Sequence, residues 1–311
     1  MTYFIDGLKI IFPIFFIMAL GYFARKRKII DEGFIEGATS LVFYFALPIS
    51  LFNDITKEES LKMNPIYVAY GMATLLASFL IALAIGKIFI KDDRKLTAFV
   101  HAAFRGNFVY IGFPIIRGIM GNLAPSSSVP IIMFVVSFQN ILGVGLLTYY
   151  HGGKMNFKKL FLQILKNPMT LACIFGFLAR AVSYRPEGFI GETMGMLSKL
   201  STPLALILIG GSLNFQGIRE NVATIFSAVF IKEILLSAIF IPLGVLIGFN
   251  REELIVLYVF YAVPSALNTF LFAKKMGSDH ELTSQIISVG YTFSILSFPL
   301  GIAILSELGI I

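Results

Sequence analysis

Charge is what this chain has least of. Of its 311 residues only 14% are charged, against roughly a quarter in a typical soluble domain. A chain with so little polar surface cannot cover itself in water, which excludes an ordinary soluble globular protein. Cysteine is nearly absent. The single Cys173 excludes an intramolecular disulfide and a cysteine-based metal cluster, and its apolar surroundings, "MTLACIFGFLAR", read as core packing. The three histidines, at 101, 151 and 280, stand far apart with no acidic or cysteine partner at metal-ligand spacing. No metal and no cofactor is expected. Phosphate-binding loop, dinucleotide fingerprint and nucleophile elbow are all missing, so a membrane enzyme is the weakest reading. The amino terminus lacks the layout of a cleaved signal: Asp6 precedes the apolar stretch, and Arg25, Lys26, Arg27 and Lys28 follow it directly. It reads as a retained first span. No connection is long enough for a soluble domain.

What is present is apolar sequence, 57% of the residues, with a mean hydropathy of +0.84. Stretches near the ~20 residues that cross a bilayer fall at roughly 5–24, 37–53, 66–90, 97–120, 127–150, 168–186, 189–212, 220–248, 253–273 and 282–306. The fold class expected is therefore an all-α polytopic membrane protein of ten spans. The formal charge of +7 then describes topology rather than affinity for nucleic acid. Lys and Arg gather after spans one, three, five, seven and nine, as in Arg25–Lys28, Lys91–Lys95, Lys154–Lys166, Arg219 and Lys274–Lys275; the alternate loops hold only Lys57, Lys62, Arg180, Arg185 and Arg251. Basic loops stay in the cytoplasm, which places both termini outside.

The longest connection, residues 151–167, carries Phe157, Leu160, Phe161, Ile164 and Leu165 at helix-like spacing among lysines, the pattern of a short amphipathic segment on the inner leaflet. It separates two blocks of five spans, residues 1–150 and 168–311. Span two holds "ALPISLF" and span seven "STPLALILIGGSL"; span four holds "YIGFPIIRGIMGN" and span nine "FYAVPSALNTFLFAKKMGSD". With five spans per block, the second block enters the membrane in the opposite sense. Inverted repeats of this kind build secondary transporters, with the site where corresponding broken helices meet at mid-membrane.

Pro114 and Pro264 mark the breaks. Each lacks an amide hydrogen, so each is expected to release the carbonyl four residues earlier, that of Tyr110 or of Phe260. Such groups must be satisfied inside the protein. Asn107 lies about two turns before Pro114, and Asn268 one turn after Pro264, so both amides are expected on one cavity. A broken helix also exposes an amino end carrying about half a positive charge. Two such ends suit an organic anion.

At these residues a resemblance can be stated. "RGNFVYIGFP", with Asn107 seven residues before Pro114 and Gly112 two before it, resembles the fourth-span pattern of the auxin efflux carrier family. "AVPSALNTFLFAKKMGSD", which carries Pro264, Ser265 and Asn268, is similar to its ninth span; "LKNPMTLACIFGF", "LPISLF" and "PLALILIGGSL" resemble its sixth, second and seventh. The likeness runs over nearly the whole chain. It implies crossing helices four and nine within a transport unit of spans three to five and eight to ten. Spans one, two, six and seven form the scaffold, often dimeric, with elevator-like exchange of access. It implies a carrier of organic anions, auxin in plant members and small dicarboxylates such as malate or malonate in bacterial ones, located in the plasma membrane. Site roles pass to Asn107, Pro114 and Pro264, while the role of Asn268 rests on spacing. The long hydrophilic loop of many plant members is missing, which fits a short prokaryotic-type member.

Other ionisable residues inside the spans leave choices open. Arg105 either draws a substrate carboxylate, fixes the crossover, or snorkels to the cytoplasm. Lys232 and Glu233 are sequence neighbours in span eight and point about 100° apart, so at least one has a partner elsewhere; a structural ion pair and a coupling-proton site at Glu233 both remain. Lys199 reads as interfacial. Two other readings stay beside efflux or exchange of carboxylates: an ion-coupled importer of the bile-acid symporter type, separable by sodium dependence, and a non-transporting sensor on a carrier fold.

Overall fold

A computed structural model describes residues 2–57, 64–120, 127–151, 162 and 166–311, and all of its named elements are helical. In chain order they are α1 (Thr2–Lys26), α2 (Glu32–Lys57), α3 (Pro65–Phe89), α4 (Asp93–Phe104), α5 (Phe108–Met120), α6 (Ser128–Tyr150), α7 (Pro168–Ala181), α8 (Gly188–Gly211), α9 (Val222–Ile247), α10 (Arg251–Ala262), α11 (Asn268–Met276) and α12 (His280–Glu307). The amphipathic segment expected within 151–167 lies largely outside the described residues.

Helix starts follow local chemistry. Asn64 and Asn167 each cap a helix whose first residue is proline, accepting from the N–H groups of Ile66 and Met169; the missing proline N–H costs nothing at that position. Asn250 and Glu253 form a reciprocal capping box at the start of α10. Among the described residues seven helices, α1, α2, α3, α6, α8, α9 and α12, are long and apolar enough to cross a bilayer. Their outward faces are apolar too, as with Phe12, Phe16, Leu20 and Phe23 along α1.

Three of the ten expected spans are not single helices long enough to cross a bilayer. Span six is the 14-residue α7. Spans four and nine are each two helices, α4 with α5 and α10 with α11, separated by short extended segments. In span nine the gap holds Pro264, as expected. In span four it falls at Arg105–Asn107, well before Pro114, which corrects the expectation that Pro114 marks the break. The reason lies in the intervening turn: Phe108–Gly112 is wound as a π-helix, and such a widened turn shifts the carbonyls a proline ring would meet. Pro48 likewise follows a π-turn, Val42–Ala46.

The helices pack as two sets that also meet broadly where α1 lies on α12. In one, α1 lies antiparallel on α8, and α2 packs between α7 and α8. Gly21 faces the Ile207 carbonyl and Gly210 the Met18 carbonyl so closely that neither position has room for a Cβ; small residues let membrane helices approach in this way. In the other group, α3 packs on α4, and α4 also contacts α6, α9 and α12. The two broken helices run through this second group.

Candidate functional site

The two gaps are hydrogen-bonded to each other. Asn107 N–H donates to the Pro264 carbonyl at 2.8 Å and Ala266 N–H to the Arg105 carbonyl at 3.1 Å, so Gly106 and Ser265 form an antiparallel bridge. Buried backbone groups that a helix break would orphan are thus paired across the crossing. Side chains complete the work. The Ser265 hydroxyl donates to the Ala102 carbonyl at 2.5 Å, and Gln139 Nε2 to the Gly106 carbonyl at 3.2 Å.

Lys232 closes the remaining end. Its Nζ donates to the Phe260 carbonyl at 3.2 Å and to the Tyr261 carbonyl, the last turn of α10, where a cation also meets the negative helix end. Phe260 is the carbonyl that Pro264 was expected to release. Glu233 turns elsewhere and accepts from the Ser297 hydroxyl at 3.0 Å. Both residues are buried, and each has found its own partner.

A cavity of about 520 Å³ opens beside the crossing, between α5, α6 and α11 on one side and α2 and α7 on the other. Its lining includes Arg105, Asn107, Tyr110, Asn140, Asn268 and Phe272, with Lys275 also on its wall. The spacing argument that put Asn107 and Asn268 on one cavity therefore agrees with the geometry. Asn107 is held by its Nδ2, which donates to the Tyr291 hydroxyl at 2.7 Å. The amino ends of α5 and α11 begin at this wall.

Arg105 does not snorkel. It is 5% exposed, donates from Nη2 to Asn140 Oδ1 at 2.6 Å and from Nη1 to His101 Nε2 at 3.1 Å, and lies 5.0 Å from the centre of the Phe272 ring. Because a guanidinium only donates, His101 Nε2 must accept. Among the described residues no carboxylate lies within 4.0 Å of Arg105. The cavity thus has a buried cation held by neutral groups.

The other predicted positions fall around this wall rather than on it. Gly112 packs where a Cβ would meet Phe108 and Val259 at 2.9 and 3.2 Å. Pro114 lines a much smaller space beyond the crossing, together with Ser50 and Arg117. There Arg117 Nη2 donates to Asp54 Oδ2 and, at 2.9 Å, to the Ser50 hydroxyl, tying α5 to α2. Residues that sequence reasoning missed are His101, Gln139, Asn140 and Tyr291. A signal existed for two of them, since "SFQN" at 137–140 is a polar run inside an apolar span.

Crossed half-helices beside a cavity recur in secondary transporters, and sequence comparison gives the family. The family model described as "Membrane transport protein" matches the chain twice, over residues 7–159 and again over 154–302. This chain belongs to the auxin efflux carrier family. Its relatives include an uncharacterized transporter of Methanocaldococcus jannaschii, 25% identical across 94% of this chain and 97% of the relative. Another is the uncharacterized transporter YfdV of Escherichia coli, 23% identical across 97% of this chain and 98% of the relative. As in those auxin efflux carrier relatives, the match is end to end and prokaryotic in type, and it makes this protein a multi-pass membrane protein of a transport family.

Proposed function

We propose that this protein is a secondary active carrier of small organic anions, moving carboxylates by efflux or exchange through a ten-span inverted repeat. The observation that carries the reading is the pairing of Asn107 with Pro264 and of Ala266 with Arg105, which brings two helix amino ends and an unneutralised guanidinium to one cavity. Helix amino ends hold an anion through N–H groups and partial charge. Arg105 adds a full charge in a site where water is scarce and Coulomb attraction correspondingly stronger. The two tandem family matches support a chain of two equivalent halves.

The packing suits an elevator. The group α1, α2, α7 and α8 corresponds to the expected scaffold, and the group containing both crossed helices to the transport unit. The cavity lies on the seam between them. Lys275 on its wall stands in the last turn of α11, in the basic cluster that the charge distribution assigns to the cytoplasm, so this conformation faces inward. Arg117, Asp54 and Ser50 tie the two groups together beyond the crossing, on the outward path. A homodimer in the cell membrane, with both termini outside, completes the reading.

The test is carboxylate-driven current and isotope counterflow in proteoliposomes, with malate, malonate, other carboxylates and indole acetate. Asn107→Ala and Asn268→Ala are expected to abolish both signals while the proteins keep their detergent-phase elution profile, and Arg105→Gln to weaken anion affinity at least tenfold. Full activity in both asparagine variants would remove the crossover as the site; absence of any flux in wild type would leave a sensor.

A further inference from the structure

The carboxyl ends of half-helices are where broken-helix carriers hold a coupling Na⁺ or H⁺, on carbonyls freed by the break. Here those ends are filled by side chains. At α4 the Ala102 carbonyl takes the Ser265 hydroxyl. At α10 the Phe260 and Tyr261 carbonyls take the ammonium of Lys232, a residue 1% exposed. A Cβ placed on Gly106 would lie 3.0 Å from Lys232 Nζ and 2.9 Å from its Cε. The ammonium therefore sits directly beneath the crossing and touches both broken segments. No carboxylate among the described residues lies within 4.0 Å of it, and neighbouring Glu233 is engaged by Ser297. Burying a lone ammonium costs several kcal/mol unless carbonyls replace its water, so these contacts are what keep it there.

We propose that Lys232 is the built-in cation of the crossover: a tethered ammonium in the place of an exchangeable alkali ion, which makes anion transport by this chain independent of Na⁺ and K⁺. Lys232 is a positioning residue in this scheme, since it holds the crossing on which the substrate rests without touching the cavity. The inference builds on the anion-carrier reading, yet it predicts behaviour that can be read without any flux. It also distinguishes this chain from a sodium-coupled importer of similar architecture.

The experiment compares wild type with Lys232→Ala and Lys232→Arg in Na⁺, K⁺, methylammonium and N-methylglucamine media, following thermal unfolding in detergent and malate counterflow in vesicles. Wild type and Lys232→Arg should unfold at the same temperature in all four media. Lys232→Ala should be destabilised in N-methylglucamine and regain several degrees in methylammonium or Na⁺, because the vacated carbonyls accept a small cation; a lysine that merely fills space would show no such rescue. If Lys232→Ala fails to fold, its recovery when solubilised with methylammonium is the same readout. Sodium-dependent stability or counterflow in wild type would overturn the proposal, as would a Lys232→Ala protein that no cation stabilises or recovers. Absence of counterflow in every medium would refute the carrier reading alone, leaving the thermal results to judge Lys232.

Discussion

Arg105 shows how much a single buried charge relies on small neighbours. Its hydrogen bond to His101 requires that the imidazole stay where it is, and the imidazole lies so close to Gly143 that a Cβ there would overlap Nε2. Gly143→Ala should therefore push His101 aside, free the guanidinium and weaken carboxylate binding about tenfold, or ~1.4 kcal/mol; titration calorimetry with malate measures it. An unchanged affinity would mean that Asn140 and Phe272 hold Arg105 without help. At this scale the sequence pointed to residues beside the cavity but not to their companions. Asn107 and Asn268 were placed by their spacing from Pro114 and Pro264, each within its own span, because a helix repeats every few residues, and the resemblance gave Asn107 and Pro264 their roles. Tyr291, which holds Asn107, lies 184 positions away, and no local period links them. The same holds for Lys232, whose neighbour Glu233 invited a pair where the fold gives each residue a separate partner.

Among elements, the helix starts were the most predictable part and the breaks the least. Asparagine or aspartate before a helix, often with proline after it, needs only backbone geometry. Asp92 is one such cap: the amide N–H groups of Lys95 and Arg94 hold its carboxylate below the usual aspartate value. A carboxylate of lowered pKa adds stability above its ordinary titration range near ~3.9, and loses that contribution as pH falls through the lowered value. Asp92→Ala should thus lower the unfolding temperature equally at pH 6 and pH 8, by an amount worth at most about 1 kcal/mol at this exposed position. Once the pH has fallen through the lowered value, the difference should shrink. A gap that opened on acidification would contradict the assignment. The break in span four was misplaced for a physical reason as well. Proline forbids a normal α-turn, but it does not dictate whether the chain answers by unwinding or by widening. Here Phe108–Gly112 widened, and the actual gap followed Gly106, which must lie against Lys232 and leave no room for a side chain.

The molecule as a whole is two sets of helices in broad contact, α1 lying on α12 as well as on α8, and the ion pair of Asp54 with Arg117 is one buried polar tie between them. With side chains only 11% and 20% exposed, removing one partner strands a charge; Asp54→Asn should cost about 3 kcal/mol in unfolding free energy. The swapped pair Asp54→Arg with Arg117→Asp should recover part of that loss in the same thermal measurement, and no recovery would place the cost in packing instead. Hydropathy marked ten apolar stretches, and among the described residues seven helices are long and apolar enough to cross a bilayer. The division into two sets came from the family resemblance and not from hydropathy, since the outward faces of both are apolar. The bridge between Gly106 and Ser265 carries one more consequence, for how the protein is made. Its two sides come from opposite halves of the chain, so a ribosome delivers Arg105–Asn107 to the membrane long before any partner exists for their backbone groups. Until span nine is inserted, that segment must rest against water, lipid headgroups or the translocation machinery. The crossing is consequently among the last features to mature, and the first half made alone would carry an unfinished, sticky edge that quality-control proteases are equipped to find.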